Sequence, residues 1–251
     1  MRDESIRQYD GFAQDYHWLY SDYALSGKPA LEENEDVLAA ADPPARILDC
    51  SCGIGTLAIA LARLGYEVAG SDASPGMVEQ AAQAANNAGL NIPLRCCRWE
   101  ELRGQFTARF DLVFCIGNSI GHARNREEMV RSLAGMRAVL GEGGRLVIQS
   151  RNWERLRQEK TRFTHFPWRE RAGERCLPLY VWSFPEEFGG AHTIEVVLIF
   201  DGGGQASIRS YPIVYYPFRS EELMDCLRRA GFSGIGSGFR DSAAEYRVIA
   251  W

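Results

Sequence analysis

Five polar residues sit where two apolar runs stop. Asn118, Ser119 and His122 follow the uncharged core of "FDLVFCIGNSIGHA", and Arg151 and Asn152 follow "RLVIQS". A buried strand that ends on an amide, a hydroxyl and an imidazole presents hydrogen-bonding groups at the edge of a core. A guanidinium at the end of a second strand adds a planar fork that can bind a carboxylate with two bonds. His122, a tyrosine or water could accept a proton there. Each residue also has a plainer use: Arg151 as an ion pair with Glu154 or a sheet-end cap, Asn118 as a turn residue, His122 as a loop cap. Those uses weaken if the two strands are neighbours.

A second set of groups lies upstream, in "ILDCSCGIGTLAIA". Gly53 and Gly55 let the backbone approach a ligand, and the helix that follows favours an anionic group at its start. Ala58 stands where a dinucleotide fingerprint has its third glycine. Asp49 ends the strand before this loop, where it would repel a pyrophosphate but suit an ammonium group. Asp72 ends the next apolar strand, where an acid can hold a ribose diol. S-adenosylmethionine carries both an ammonium and a ribose. A nicotinamide-binding Rossmann domain is the competing reading.

The elements that must position these groups alternate. "ARILDC", "YEVAGSD", "IPLRCCRW", "FDLVFCIG" and "RLVIQS" read as strands. Between them, "TLAIALARLG", "SPGMVEQAAQAANNAG" and "NREEMVRSLAGMRAVLGEGG" have helical spacing. Ser74 is a plausible N-cap, Pro75 a first helical residue, and Gly65 and Gly89 are stops. Single helices between strands predict parallel pairing in a doubly wound, mostly parallel α/β sheet. After Arg151 the pattern changes to "LYVWSF", "HTIEVVLIF" and "SIRSYPIVYY", with "DGGGQ" as a hairpin loop. "RSEELMDCLRRAGF", with Ser220 as a candidate cap, and "AEYRVIAW" return to helix and strand. The expected division is an N-terminal helical lid over 1–44, a core over 45–152 and 218–251, and a strand-rich insert over 153–217. The insert would cover a site at the strand ends. The N-terminal segment, which carries Tyr9, Tyr16, Tyr20 and Tyr23, could serve as a lid or as a contact in a homo-oligomer. An amphipathic helix packing aromatics on the sheet edge explains those tyrosines equally well.

Composition excludes several classes. The chain has 251 residues, 46% of them hydrophobic, enough for one sizeable core. Net charge is −5 and the pI is about 5.5, which argues against a nucleic-acid partner. The one basic cluster, Arg151 to Arg175, is interleaved with Glu154, Glu159, Glu170 and Glu174 and reads as a solvated surface. No run is long enough for a membrane span, and "MRDESIRQYD" lacks the apolar core of a secretion signal. A cytoplasmic protein is expected. The seven cysteines do not match paired zinc hooks and read as reduced thiols acting as small hydrophobes. No metal is expected.

The glycine-loop region resembles the class I S-adenosylmethionine-dependent methyltransferases. The resemblance runs through "ILDCSCGIGTLAIALARLGYEVAGSDASPGMVEQA", "CRWEEL", "FDLVFCIGN" and "GEGGRLVIQS". It implies a Rossmann-like class I methyltransferase fold with S-adenosylmethionine as cofactor. Gly53 and Gly55 would lie under its methionine part. Asp49 would support loop and ligand, and Asp72 would bind the ribose hydroxyls. Met77 and Trp99 would flank the adenine, and the Ile116 carbonyl would accept from the ammonium. Arg98 stands where the family often has an acid that contacts the adenine amine.

A narrower resemblance, through "CIGNSIGHA", "SRNWERL" and "YYP", is to the glycine/sarcosine N-methyltransferase group. It implies that Arg151 clamps the acceptor carboxylate and that Asn118 helps hold it. Tyr9 would approach the sulfonium, Tyr20 would border the methyl-transfer space, and His122 matches a histidine of the group. Lys28 falls near a cation that meets the cofactor carboxylate. Tyr180, Tyr215 and Tyr216 match the group weakly. The expected function is methyl transfer to the amine of a small carboxylate-bearing acceptor such as glycine or sarcosine. The alternatives are N- or O-methylation of another small acidic metabolite and a cofactor-binding module without catalysis.

Overall fold

The computed structural model describes residues 4–185 and 188–251. Twelve strands occur among them: β1 Arg46–Asp49, β2 Glu67–Asp72, β3 Leu94–Cys96, β4 Phe110–Cys115, β5 Leu140–Arg151, β6 Phe163–His165, β7 Arg169–Arg171, β8 Glu174–Trp182, β9 His192–Asp201, β10 Ala206–Tyr215, β11 Ile235–Ser237 and β12 Glu245–Ala250. The α-helices are α1 Glu4–Phe12, α2 Asp22–Leu25, α3 Lys28–Glu33, α4 Glu35–Leu38, α5 Thr56–Arg63, α6 Pro75–Asn87, α7 Leu102–Gln105, α8 Arg126–Ala138, α9 Trp153–Glu159 and α10 Ser220–Arg229.

Seven strands form the main sheet in the order β11-β12-β5-β4-β1-β2-β3. β1 to β5 pair in parallel, and β12 runs antiparallel to β5. The continuous apolar run of β4 follows from burial on both faces: Leu112, Val113, Phe114 and Cys115 are all 2% exposed or less. Strand order reverses between β1 and β4, and a crevice opens there beyond the carboxyl ends. Asp49 and Ile116 stand at that crevice. β4 and β5 are neighbours, which brings Asn118 and Arg151 to the same end of the sheet.

The second sheet has the order β10-β9-β8-β6, with β7 also paired to β8, all antiparallel. β9 and β10 are the hairpin expected around "DGGGQ". On β9, buried His192, Ile194, Val196, Leu198 and Phe200 alternate with half-buried residues, so one face turns inward. That face joins α1, α8 and one side of the main sheet in a common core. The opposite side of the main sheet packs against α4 and α5.

The helix signals mostly act as expected. Ser74 Oγ accepts from Met77 N at 3.2 Å, capping α6 with Pro75 in its first turn. Ser220 is not a cap. It is the first residue of α10, Arg219 holds the cap position, and Glu222 accepts from Arg219 N at 2.7 Å. β5 covers twelve residues, about twice the expected strand, because it begins within the "LGEGG" stretch. β6, β7 and β11 were not legible; each has only three residues. The basic cluster is not wholly a solvated surface. Arg151 turns into the core and Arg171 donates to the Tyr20 carbonyl at 2.7 Å.

Candidate active site

A cavity of about 490 Å³ runs from the β1–β2 loop across the ends of β4 and β5 to the inner face of the second sheet. Its first half is built by the glycine loop. Gly55 sits at φ 85°, and a Cβ there would lie 3.1 Å from Ala81 of α6. Gly53, at φ 50°, donates its N–H to Asp72 Oδ2 at 3.0 Å. These left-handed turns let the chain leave β1 and enter α5 without a side chain filling the crevice. Asp72 Oδ1 accepts from Ser74 N at 2.9 Å, so the carboxylate is fixed while it lines the cavity. Trp99 Nε1 donates to the Cys50 carbonyl at 2.8 Å, which sets the indole as a wall opposite buried Met77. The Ile116 carbonyl accepts from Ser119 Oγ at 2.8 Å and from Ser51 Oγ at 3.3 Å.

Asp49 is 2% exposed, and burial pushes its carboxyl up to about 7, with a smaller push from Asp72. Burial also raises Asp72, against the N–H groups of Ser74 and Gly53 that favour its charge. Two carboxyls with raised pKa in a crevice are poised for a cationic ligand that carries hydroxyls. This donor set fits S-adenosylmethionine: an acid and a carbonyl for its ammonium, a fixed carboxylate for its diol, and an apolar slot for its base.

The second half is built by strand ends and the N-terminal helix. Gly117 and Asn118 both adopt left-handed backbone, at φ 70° and 66°, which breaks β4 and turns Asn118 into the cavity. Asn118 Nδ2 donates to Glu245 Oε1 at 3.2 Å, while its buried Oδ1 has no partner among the described residues. Arg151, at the end of neighbouring β5, borders the same cavity. Its guanidinium carbon is 5.4 Å from the Trp182 ring, 5.5 Å from Tyr215, 5.9 Å from Tyr180 and 6.0 Å from Trp153. One terminal nitrogen, Nη1, is buried and has no partner among the described residues. Burial alone would lower the Arg151 pKa, but Tyr215, Tyr180 and Glu245 more than offset it, and the charge is retained.

Tyr9, on α1, reaches this end of the cavity. Its hydroxyl is 3.0 Å from His122 Nε2 and 3.2 Å from the Tyr215 hydroxyl. His122 Nδ1 is 2.9 Å from the Val214 carbonyl. A carbonyl only accepts, so in neutral His122 the proton is on Nδ1 and Nε2 accepts from Tyr9. Tyr215 must then donate to Tyr9. Tyr16 and Tyr20 share a hydrogen bond of 2.8 Å nearby. Burial raises the pKa of Tyr9, Tyr16 and Tyr20, so the phenols are neutral.

Of the residues singled out in the sequence, Tyr9, Tyr20, Asp49, Gly53, Asp72, Met77, Trp99, Ile116, Asn118, His122 and Arg151 border this one cavity. Gly55 lies behind it, under the loop. Lys28 does not reach it. It starts α3 with an exposed side chain, and Pro29, Ala30 and Glu33 face the cavity instead. Glu33, Gln149 and Glu245 were not anticipated. Gln149 Nε2 donates to Glu33 at 3.0 Å and to Glu245 at 3.2 Å, and Gln149 Oε1 accepts from Gly117 N. No local motif marks these three; the β5–β12 pairing brings Gln149 and Glu245 together, and Glu33 reaches them from the end of α3. Tyr16 carried a signal in its i,i+4 spacing to Tyr20.

A parallel sheet with a strand-order reversal, a glycine loop and an acid at the second strand end define a Rossmann-like cofactor-binding α/β core. Residues 47–144 match the family model described as a methyltransferase domain. The chain is 29% identical over 159 residues to glycine/sarcosine N-methyltransferase of Parasynechococcus marenigrum (strain WH8102), covering 61% of this chain and 56% of that protein. It is 31% identical over 108 residues to a ubiquinone biosynthesis O-methyltransferase of Xanthomonas axonopodis pv. citri (strain 306), covering 43% of this chain and 44% of that one. The match spans about half the length of these curated relatives. In fold it is similar to a solved S-adenosylmethionine-dependent methyltransferase from Clostridium acetobutylicum ATCC 824, with a TM-score of 0.74, 16% identity, and coverage of 96% of this chain and 98% of the other. Over residues 47–144 the chain is similar to methyltransferase domains, and its fold is that of S-adenosylmethionine-dependent methyltransferases.

Proposed function

We propose that the chain transfers a methyl group to the amine of a small carboxylate-bearing acceptor: glycine, sarcosine or a related amino acid. The observation that carries this is the buried Nη1 of Arg151 and the buried Oδ1 of Asn118, each without a partner among the described residues, on one cavity at the ends of neighbouring strands. A buried donor of an ionised group without a partner is costly, and an acceptor carboxylate would relieve it. Asn118 Oδ1 would accept an N–H of the amine. A donor for an anion next to an acceptor for an amine matches an amino acid. Glycine/sarcosine N-methyltransferase relatives support this class, and O-methyltransferase relatives of similar identity keep the acceptor open to test.

When bound, S-adenosylmethionine supplies an electrophilic methyl group on a cationic sulfur. Asp72 would hold its ribose hydroxyls, Met77 and Trp99 its base, and Asp49 with the Ile116 carbonyl its ammonium, over the Gly53–Gly55 turn. Arg151 would fix the acceptor so that its nitrogen faces the methyl, and this positioning supplies much of the rate. The amine must be neutral to attack. Its proton would pass to Tyr9 Oη as the Tyr9 proton moves to His122 Nε2. The bond between His122 Nδ1–H and Val214 then steadies the imidazolium. Tyr9 and Tyr20 would border the methyl with neutral oxygens that are weak nucleophiles. Residues 1–44 would act as a lid and 153–217 as the acceptor wall.

A methyl-transfer assay with labelled cofactor tests this, using amino acids paired with amines of the same skeleton that lack the carboxylate. Transfer restricted to the carboxylate-bearing members is expected. Equal transfer to both members of each pair would refute the clamp.

A further inference from the structure

Within the amino-acid reading, on which this inference rests, we propose that the acceptor carries an apolar side chain and that glycine is a poor substrate. The argument comes from what lies next to Arg151 on the second sheet. Two cross-strand rows face inward there. Trp182 on β8 pairs with Ile194 on β9, which pairs with Ile213 on β10. Tyr180 pairs with Val196, which pairs with Tyr211. The Arg151 guanidinium sits against the β8 end of both rows, on Trp182 and Tyr180. One strand further on, about 4.8 Å away, the cavity is bordered by Ile194 and Val196, and after them by Ile213. Phe166, edge-on to Tyr180 at 5.0 Å, extends the same wall.

An acceptor held by its carboxylate on Arg151 therefore points its body along a wall of aliphatic side chains. Neither row carries an ionised group. The Tyr211 hydroxyl is already committed to Asp15 at 2.5 Å, and its ring is stacked on Phe12. Glycine has no side chain to lay on this wall and would leave it facing water. A polyhydroxylated amine, such as an amino sugar, would bury hydroxyls there with only the Tyr180 hydroxyl to meet them, a cost of about 1–3 kcal/mol for each one left unpaired. A leucine- or phenylalanine-like side chain would fill it. In an apolar pocket one methylene changes kcat/KM by roughly 10- to 200-fold, so several carbons give a discrimination that is easy to measure.

The test is the kcat/KM of labelled methyl transfer by the full chain to glycine, leucine, phenylalanine, isopentylamine and a free amino sugar. The expected result is leucine or phenylalanine at least about tenfold above glycine, with isopentylamine and the amino sugar far below. Glycine equal to or above both would overturn this inference and leave the carboxylate clamp standing. Isopentylamine matching leucine, or no transfer to any of the amino acids, would overturn the amino-acid reading and this inference with it.

Discussion

The Tyr9 hydroxyl donates to His122 Nε2 at 3.0 Å, while His122 Nδ1 is tied to the Val214 carbonyl at 2.9 Å. This pair joins the N-terminal helix to the loop after β4 and fixes which nitrogen can take a proton. Substituting Tyr9 by Phe keeps the ring in its contacts with Tyr16 and His122 and removes only the hydroxyl. The expected effect is a fall in kcat of about 10²-fold, in the range of a lost acid–base step, with acceptor KM within a few fold. His122→Asn should give a similar loss. A KM change without a kcat change in either variant would show that the pair is structural.

Cofactor affinity should depend on pH through Asp49. Its carboxyl is pushed up to about 7 by burial, and only the ionised form attracts a cation. Affinity should therefore weaken as pH falls below about 7, by up to about tenfold per pH unit for a single proton. Asp49→Asn should bind weakly with a flat profile. Asp72→Asn should bind weakly and keep the slope. Calorimetric titration with S-adenosylhomocysteine from pH 5.5 to 8.5 checks this; a flat wild-type profile would remove Asp49 from the site.

Asp10 latches the N-terminal helix to the start of α6. Its Oδ1 accepts from Ser74 Oγ at 2.6 Å and from Gly76 N at 3.0 Å, and an acid is well placed at a helix start. Asp10→Ala should loosen the proposed lid and raise the cofactor dissociation rate roughly fivefold, the effect of about 1 kcal/mol. Stopped-flow displacement reads it. An unchanged rate would mean that the helix does not cover the cofactor.

Much of the site's first half was legible because its chemistry sits in one contiguous motif. Asp49, Gly53 and Asp72 lie at strand ends or in the turn between, and a helix cap at Ser74 follows. The second half depends on strands far apart in sequence. Glu245 reaches Asn118 only because β12 pairs with β5. Ile194 and Val196 read as ordinary alternation, and nothing local says which face meets Arg151. Lys28 misled because a cation near the right place in the chain does not say where its side chain points, and this one is exposed. The three-residue strands have too few side chains to show a period.

His192 should tune stability with pH. It is 4% exposed, its Nε2 has no partner among the described residues, and burial with Arg151 and Arg157 nearby lowers its pKa to about 4. The unfolded chain binds this proton near 6.5 and the folded chain does not, so stability should fall as pH drops from about 6.5 to about 4. His192→Leu should flatten that part of the thermal-unfolding profile, and its melting temperature at pH 7 should match or exceed the original, since an unpaired buried group is removed. A steeper acid loss in the variant would contradict the assignment.

The most direct test crosses Arg151→Ala with removal of the acceptor carboxylate. Four values of kcat/KM are needed, for leucine and isopentylamine with each protein, together with the cofactor Kd of both. The expected result is that leucine loses about 10²-fold on substitution, as for a buried charge pair worth about 3 kcal/mol. Isopentylamine should change little, and cofactor affinity should stay within threefold. If Arg151→Ala kept the full preference for leucine over isopentylamine, the carboxylate would be read elsewhere and the clamp would be wrong.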